Sequence, residues 1–177
     1  ATRTETIYNF TKRVDDIHCV QDYAIDWAAL PDAIFQSGVV PMQASNGCPY
    51  HCAFCNFTKD RRLTWVKPVE RIVAEMKAVR DRGARYIWFV DDNFRLGQGD
   101  LEAVCRRFID ERLGVKWMTF VRASTLDHVD TDVLRQAGCT EVQLGLESAD
   151  PVVLENMNKS WKAKGGRSGR FVQIFRP

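Results

Sequence analysis

The chain has 177 residues, 25 Lys+Arg against 23 Asp+Glu for a net charge of +2, and 45% hydrophobic and 11% aromatic residues. This supplies enough apolar surface for one compact domain with a core and excludes collagen-like, low-complexity and strongly nucleic-acid-like chains. No apolar run approaches the roughly 20 residues of a membrane-spanning helix, and the polar start Ala1-Thr-Arg-Thr-Glu-Thr lacks the pattern of a secretory signal, so a cytoplasmic protein without a membrane partner is expected.

Residues 1–38 read as an N-terminal linker or extension ahead of the first strand, expected over residues 39–44. Pro41 inside it argues for an edge strand or a local break in pairing. Pro68 suits the first turn of a helix over residues 69–82, which places Ile72, Val73, Met76 and Val79 on one face and stops at Gly83. Residues 86–90 predict a buried strand, Asp100 an N-cap, and residues 101–113 a second helix ended by Gly114. The unit recurs: a strand at 117–121, a short helix opened by Asp130 or Thr131 and closing near Gly138, and a strand at 141–146. Asp150-Pro151 then opens a fourth helix carrying Val152, Val153, Leu154 and Met157.

At Lys159 the composition changes in kind. Residues 1–158 hold 19 basic and 23 acidic residues, whereas residues 159–177 hold six basic residues and no acid. That stretch has neither a helical nor an alternating period and is rich in Gly and Ser, so it reads as a basic, flexible tail with a short extended piece at residues 171–175. Such runs are mostly solvated, and with no RNA-binding pattern beside it no nucleic-acid partner is expected. The core is therefore placed at residues 39–158. Its four strand-then-helix units require parallel strands joined by right-handed crossovers, an α/β sheet that either stays open or curls into a barrel. In both cases ligands sit in the loops at the C-terminal ends of the strands.

The loop after the first strand holds the strongest chemical signal. Ser45-Asn-Gly-Cys48-Pro-Tyr-His-Cys52-Ala-Phe-Cys55 has the pattern C-x3-C-x2-C, with Gly47 supplying a tight turn into it. A cubane of four irons takes one thiolate per iron, so three close cysteines can hold three corners and leave the fourth open to a small molecule. The competing reading is tetrahedral zinc on Cys48, His51, Cys52 and Cys55. Structural zinc usually joins two separated ligand pairs, whereas all these donors lie in one loop, so His51 reads as solvent-facing or as a support to the ligands. The scattered Cys19, Cys105 and Cys139 read as buried or partly buried thiols. A reducing compartment with one thiolate-ligated site fits this distribution better than disulfides do.

This cysteine loop, leaving the first strand of an alternating β/α chain, resembles the radical S-adenosylmethionine (radical SAM) superfamily. The likeness extends to Asp91-Asp-Asn-Phe94 after the second strand and Gly145-Leu-Glu-Ser148 after the fourth. It implies a partial TIM-type (β/α) barrel in which Cys48, Cys52 and Cys55 hold a 4Fe–4S cluster and SAM chelates the open iron. Electron transfer would then cleave SAM to methionine and a 5′-deoxyadenosyl radical for C–H activation, with a reductant such as flavodoxin or ferredoxin as partner and a small-molecule or peptide substrate. By the same resemblance Asp91, Asp92 and Asn93 occupy the place of the SAM amino-group motif, although its usual Gly-Gly-Glu is absent.

Arg122, at the end of the third strand, could pair with the SAM carboxylate or form a surface salt bridge with an acid such as Asp127. Glu147 and Ser148 match ribose- or amine-contacting positions; the alternative is a Glu that pairs with a Lys or caps a helix. Phe54 matches the aromatic residue beside the adenine and could equally shield the cluster. Residues 24–32, leading into Gln43-Ala-Ser-Asn-Gly-Cys48, look like the linker of cobalamin-type radical SAM methyltransferases, although no cobalamin-binding domain is in the chain. Four strands stand where the family's barrel has more, so the barrel is expected to be truncated after about four β/α units, with another domain or subunit covering its open edge. A non-catalytic module that holds a cluster or zinc is the alternative to an enzyme.

Overall fold

The structure, a computed structural model, describes residues 25–56, 65–94, 101–126 and 129–159. The proposed N-cap Asp100, the thiol of Cys19, Asp127 and the tail beyond Lys159 lie outside the described residues, as does most of the N-terminal linker.

A 3-10 turn (Trp27–Ala29) and α1 (Ala33–Gln36) lead into β1 (Val39–Met42). The chain then forms β2 (Ser45–Asn46) and β3 (Trp65–Val66), α2 (Val69–Asp81), β4 (Tyr86–Phe89), α3 (Leu101–Asp110) and β5 (Lys116–Val121). After these come α4 (Ala123–Leu126), α5 (Thr131–Gln136), β6 (Cys139–Leu144) and α6 (Pro151–Asn156). Among the described residues β1, β4, β5 and β6 lie side by side in that order, every pair parallel. Pro41 is on an edge strand, as a residue without an N–H requires. β2 and β3 form a small antiparallel ribbon that the sequence did not suggest; β1 is correspondingly shorter than expected, ending at Met42.

One face of the sheet is buried against the helices. Val40, Met42, Ile87, Phe89, Trp117 and Val121 meet Ile72, Val73, Met76 and Val79 of α2 and Val104, Cys105 and Phe108 of α3. Each fully buried side chain of this size contributes about 1.5–3 kcal/mol. Trp117 is at the centre, its ring 5.8 Å from Phe89 and from Phe94 and 6.1 Å from Phe108. Its indole N–H donates to the Ala137 carbonyl at 2.8 Å, so the buried donor is satisfied.

The helices stop where backbone chemistry demands it. Gly83 has φ +103, and beyond it the Ala84 N–H donates to the Val79 carbonyl at 3.0 Å, closing α2 in a left-handed cap. α3 ends at Asp110 rather than near residue 113, since leaving the helix early lets Leu113 drop into the core. Asp130 and Asp150 cap α5 and α6 through side-chain acceptors, and Pro151 takes the first turn of α6.

The fourth strand departs most from expectation. It runs from Cys139 to Leu144, two residues earlier than predicted at each end. Cys139 pairs with Trp117 but Glu141 pairs with Met118, leaving Thr140 as an extra residue. Side chains alternate along a strand, so without this bulge Val142 and Leu144 would leave the face occupied by Cys139. With it they pack on the helix-side core. Thr140 Oγ1 donates to the Trp117 carbonyl at 3.3 Å and lies 3.0 Å from the Tyr86 hydroxyl.

Candidate functional site

The loops leaving β1, β4, β5 and β6 lie at the same end of the parallel sheet, and Asp91-Asp92-Asn93 after β4 ties the loop after β1 to the end of β5. Asp91 is buried. Its carboxylate accepts from the Ala44 N–H at 3.2 Å, the Ser45 hydroxyl at 2.6 Å and the Ser45 N–H. Asp92 Oδ2 accepts from the Gly47 N–H at 3.0 Å, and Gly47 has φ +79, a conformation that favours glycine at the entry to the cysteine loop. Asn93 Oδ1 accepts from the Arg122 N–H at 3.0 Å, tying the loop after β4 to the end of β5. Burial pushes Asp91 up to about 6, against the opposing pull of the Ser45 hydroxyl, the Ala44 and Ser45 N–H groups and the Lys67 charge. Of these three neighbouring residues Asp92 is the most accessible, Asp91 and Asn93 being buried.

Cys48, Cys52 and Cys55 are free thiols, each half-buried. The Cys55 N–H donates to the Cys52 carbonyl at 3.0 Å in a tight turn. Burial raises the Cys48 pKa; a hydrogen bond from the Tyr50 backbone and the Arg122 charge lower it, and the other two cysteines raise it further. Among the described residues no three His, Cys, Asp or Glu side chains converge as they would on a single ion. A cubane instead distributes thiolates one per iron, a demand that three soft donors spread along one loop fit. His51 is exposed, as expected of a residue outside the ligand set.

The backbone of this loop is gripped by the residues that end α6. Ala53 N–H donates to the Met157 carbonyl at 2.8 Å, and Asn158 Nδ2 donates to the His51 carbonyl at 2.7 Å. Asn158 has φ +52, and the Lys159 N–H donates to the Leu154 carbonyl at 2.8 Å, so Asn158 is the left-handed cap that turns the chain back over the cysteines. Lys159, counted with the basic tail by charge, is buried. Its ammonium donates to Glu147 Oε1 at 3.0 Å and stands 5.2 Å from the centre of the Phe54 ring. Phe54 is itself 49% exposed, beside the cysteines rather than in the core.

Arg122 is 9% exposed, so its side chain does not lie on the surface; Asp127, the acid suggested as its partner, is outside the described residues. Nη1 lies 3.6 Å from Cys52 Sγ, Nη2 donates to the Lys159 carbonyl at 2.8 Å, and the guanidinium carbon is 4.0 Å from the centre of the Tyr50 ring. Glu147 has φ +61 and pairs with a Lys, the alternative weighed for it; Ser148 Oγ accepts from the Asp150 N–H at 3.0 Å. The structure thus gathers Phe54, Arg122 and Glu147 around Lys159, with Cys52 against Arg122, while Asp91 and Asn93 hold the backbones of the loops that carry them. Lys159, Asn158 and Tyr50 were not anticipated. Asn158 alone carried a local sign, an Asn directly after a helical segment.

Asn158→Ala is expected to lose about 2 kcal/mol, about half from the His51 bond and half from strain of a left-handed alanine. Asn158→Gly removes the same bond without the strain and should lose less. Urea denaturation of the two variants measures the difference.

The sequence model of the radical SAM superfamily matches residues 42–164. An uncharacterized methyltransferase of Pyrococcus horikoshii is 30% identical over 135 residues, covering 73% of this chain and 29% of the relative. The bacteriochlorophyllide d C-12(1)-methyltransferase of Chlorobaculum tepidum is 27% identical over 137 residues, again 73% of this chain and 29% of the relative. The chain therefore spans under a third of the length of these relatives. Among solved structures, the radical S-adenosylmethionine methyltransferase TsrM from Kitasatospora setae, with tryptophan and a SAM analogue bound, superposes with a TM-score of 0.57 at 19% identity. That match covers 73% of this chain and 26% of TsrM, and shows the shared parallel α/β fold of a partial barrel. The profile spans the cysteine loop and every strand end that faces it, and the chain belongs to the radical SAM superfamily.

Proposed function

We propose that this chain is the cluster- and SAM-binding core of a radical SAM enzyme of the cobalamin-dependent methyltransferase type. The observation that carries the reading is the trio of free, half-buried cysteines spaced C-x3-C-x2-C in the loop leaving β1, at the edge where all four parallel strands end. Cys48, Cys52 and Cys55 would hold a 4Fe–4S cluster. When bound, the cluster supplies the electron that cleaves SAM for C–H activation or methyl transfer. The chain's own residues hold and orient: Asp92 is best exposed to receive the SAM ammonium, with Asp91 and Asn93 fixing its loop. Arg122, Glu147 and Ser148 would line the amino-acid and ribose end, and Phe54 the adenine. The methyltransferase assignment rests on the names of the relatives, and cobalamin on TsrM, solved with that cofactor and a cluster. Its cobalamin-binding part, its small-molecule or peptide substrate and a reductant such as flavodoxin or ferredoxin would lie outside this chain.

The test is anaerobic reconstitution with iron and sulfide, then dithionite and SAM. Release of 5′-deoxyadenosine or transfer of the SAM methyl group supports the enzyme; a filled cluster that binds SAM without turning it over supports a non-catalytic binding module. A colourless chain with one tightly bound zinc and no iron overturns the cluster reading.

A further inference from the structure

A side chain with as many rotatable bonds as arginine is ordinarily mobile, yet the guanidinium of Arg122 is restrained from three directions. One edge lies on sulfur, with Nη1 3.6 Å from Cys52 Sγ. The other edge is fixed by the Lys159 carbonyl, 2.8 Å from Nη2. One face is covered by the Tyr50 ring, whose centre is 4.0 Å from the guanidinium carbon. The backbone at the same residue is pinned by Asn93 Oδ1 at 3.0 Å. Burial of the side chain keeps competing water away. Arginine stays protonated under all ordinary conditions, so the result is a permanent, oriented cation with an N–H directed at one sulfur.

A hydrogen bond to a ligand sulfur, and net charge close by, are among the factors that set the reduction potential of an iron–sulfur cluster. Reduction adds one negative charge, and a fixed cation stabilises the reduced form more than the oxidised one. We propose that Arg122, braced by Tyr50 and the Lys159 carbonyl, is a positioning and tuning residue that raises the reduction potential of the cluster through its N–H···S contact with Cys52. This rests on the reading of Cys48, Cys52 and Cys55 as cluster ligands. It gives the end of α6 a second task, because the left-handed turn at Asn158 that carries the chain over the cysteine loop also places the Lys159 carbonyl that aims the guanidinium.

The test is an EPR-monitored redox titration of the reconstituted chain without SAM, comparing wild type, Arg122→Gln, Arg122→Lys and Tyr50→Leu at equal iron and sulfide content. Arg122→Gln removes the charge and the fork together. It should lower the potential enough to reduce the ratio of reduced to oxidised cluster about tenfold at a fixed poise, which for one electron is about 59 mV. Arg122→Lys keeps the charge without the planar fork and should shift the potential part of that way. Tyr50→Leu leaves the arginine in place without its platform and should shift it in the same direction by less. Filled clusters with one common potential overturn the inference while leaving the cluster assignment intact. Should Arg122→Gln fail to retain its cluster, an unchanged potential in Arg122→Lys and Tyr50→Leu overturns it equally. A wild-type chain that takes up no iron overturns the underlying reading instead.

Discussion

Cys52→Ala is expected to give a folded protein that retains no 4Fe–4S cluster and releases no 5′-deoxyadenosine above background. Folding should survive because the side chain is only half-buried and, apart from the Arg122 contact on its sulfur, what the structure takes from residue 52 is its backbone: the carbonyl accepts from the Cys55 N–H, and the neighbouring Ala53 N–H is held by Met157. Losing one half-buried sulfur costs on the order of 1 kcal/mol. Chemistry should not survive, because two thiolates leave a second iron without a protein ligand. Substitutions that merely support a metal ligand already lower affinity about 10–100-fold, and removal of a ligand should exceed that. Iron and sulfide analysis, the visible absorption of the reconstituted protein and circular dichroism measure the three parts separately. An Ala variant that keeps a full cluster would place the ligands elsewhere.

The local parts of this fold were legible and the long-range parts were not. α2 was readable because Ile72, Val73, Met76 and Val79 repeat at helical spacing, and the starts of α5 and α6 because Asp130, Asp150 and Pro151 are cap residues whose effect reaches only two or three positions. The parallel sheet followed from the order of the units. The bulge at Thr140 was hidden because it shows only against the partner strand: Cys139, Val142 and Leu144 share a face through pairing with β5, and nothing in their own spacing announces it. The ribbon between β2 and β3 was hidden for the same reason.

The candidate site divides along the same line. The cysteines declared themselves by spacing, and the loops after β4, β5 and β6 by their place behind strands. Lys159 did not, because composition groups it with a run of basic residues. What separates it is the left-handed turn at Asn158, which carries it back under the protein to Glu147. The buried pair of Lys67 and Glu75, 2.8 Å apart with the Trp27 indole donating to the same carboxylate at 3.3 Å, was equally silent, since charges eight positions apart with a proline between them look like surface. In each case a polar residue had to be buried before its role existed, and burial is a property of the assembled sheet.

Asp91 gives the second large effect, and its sign depends on pH. The folded carboxyl titrates at about 6 against an ordinary 3.8. The folded chain therefore holds this proton more tightly than the unfolded chain does. Above about pH 6 the buried carboxylate destabilises the fold; as pH falls through 6 toward 3.8 the folded state takes up the proton first and that cost disappears. A displacement of this size corresponds to about 3 kcal/mol at neutral pH and above. Asp91→Asn keeps an oxygen for the Ala44 and Ser45 donors without the charge, so it should stabilise the chain without cluster by about 2–3 kcal/mol near pH 8 and by under about 1 kcal/mol near pH 4. Asp91→Ala instead strands the N–H groups of Ala44 and Ser45, at about 1–3 kcal/mol each. That cost is offset above pH 6 by the lost charge and is fully felt below it, so Asp91→Ala should be most destabilising in acid, the reverse of a carboxylate that stabilises as an ion. Urea denaturation of the three proteins at the two pH values measures this, and a pH-independent gap between wild type and Asp91→Asn would show that the carboxylate is not penalised by burial. Function should follow the acceptor rather than the charge. Ser45, which Asp91 holds through its hydroxyl and N–H, lies where the chain passes from β1 into the cysteine loop, so Asp91→Asn should retain iron as wild type does while Asp91→Ala loses it faster at every pH.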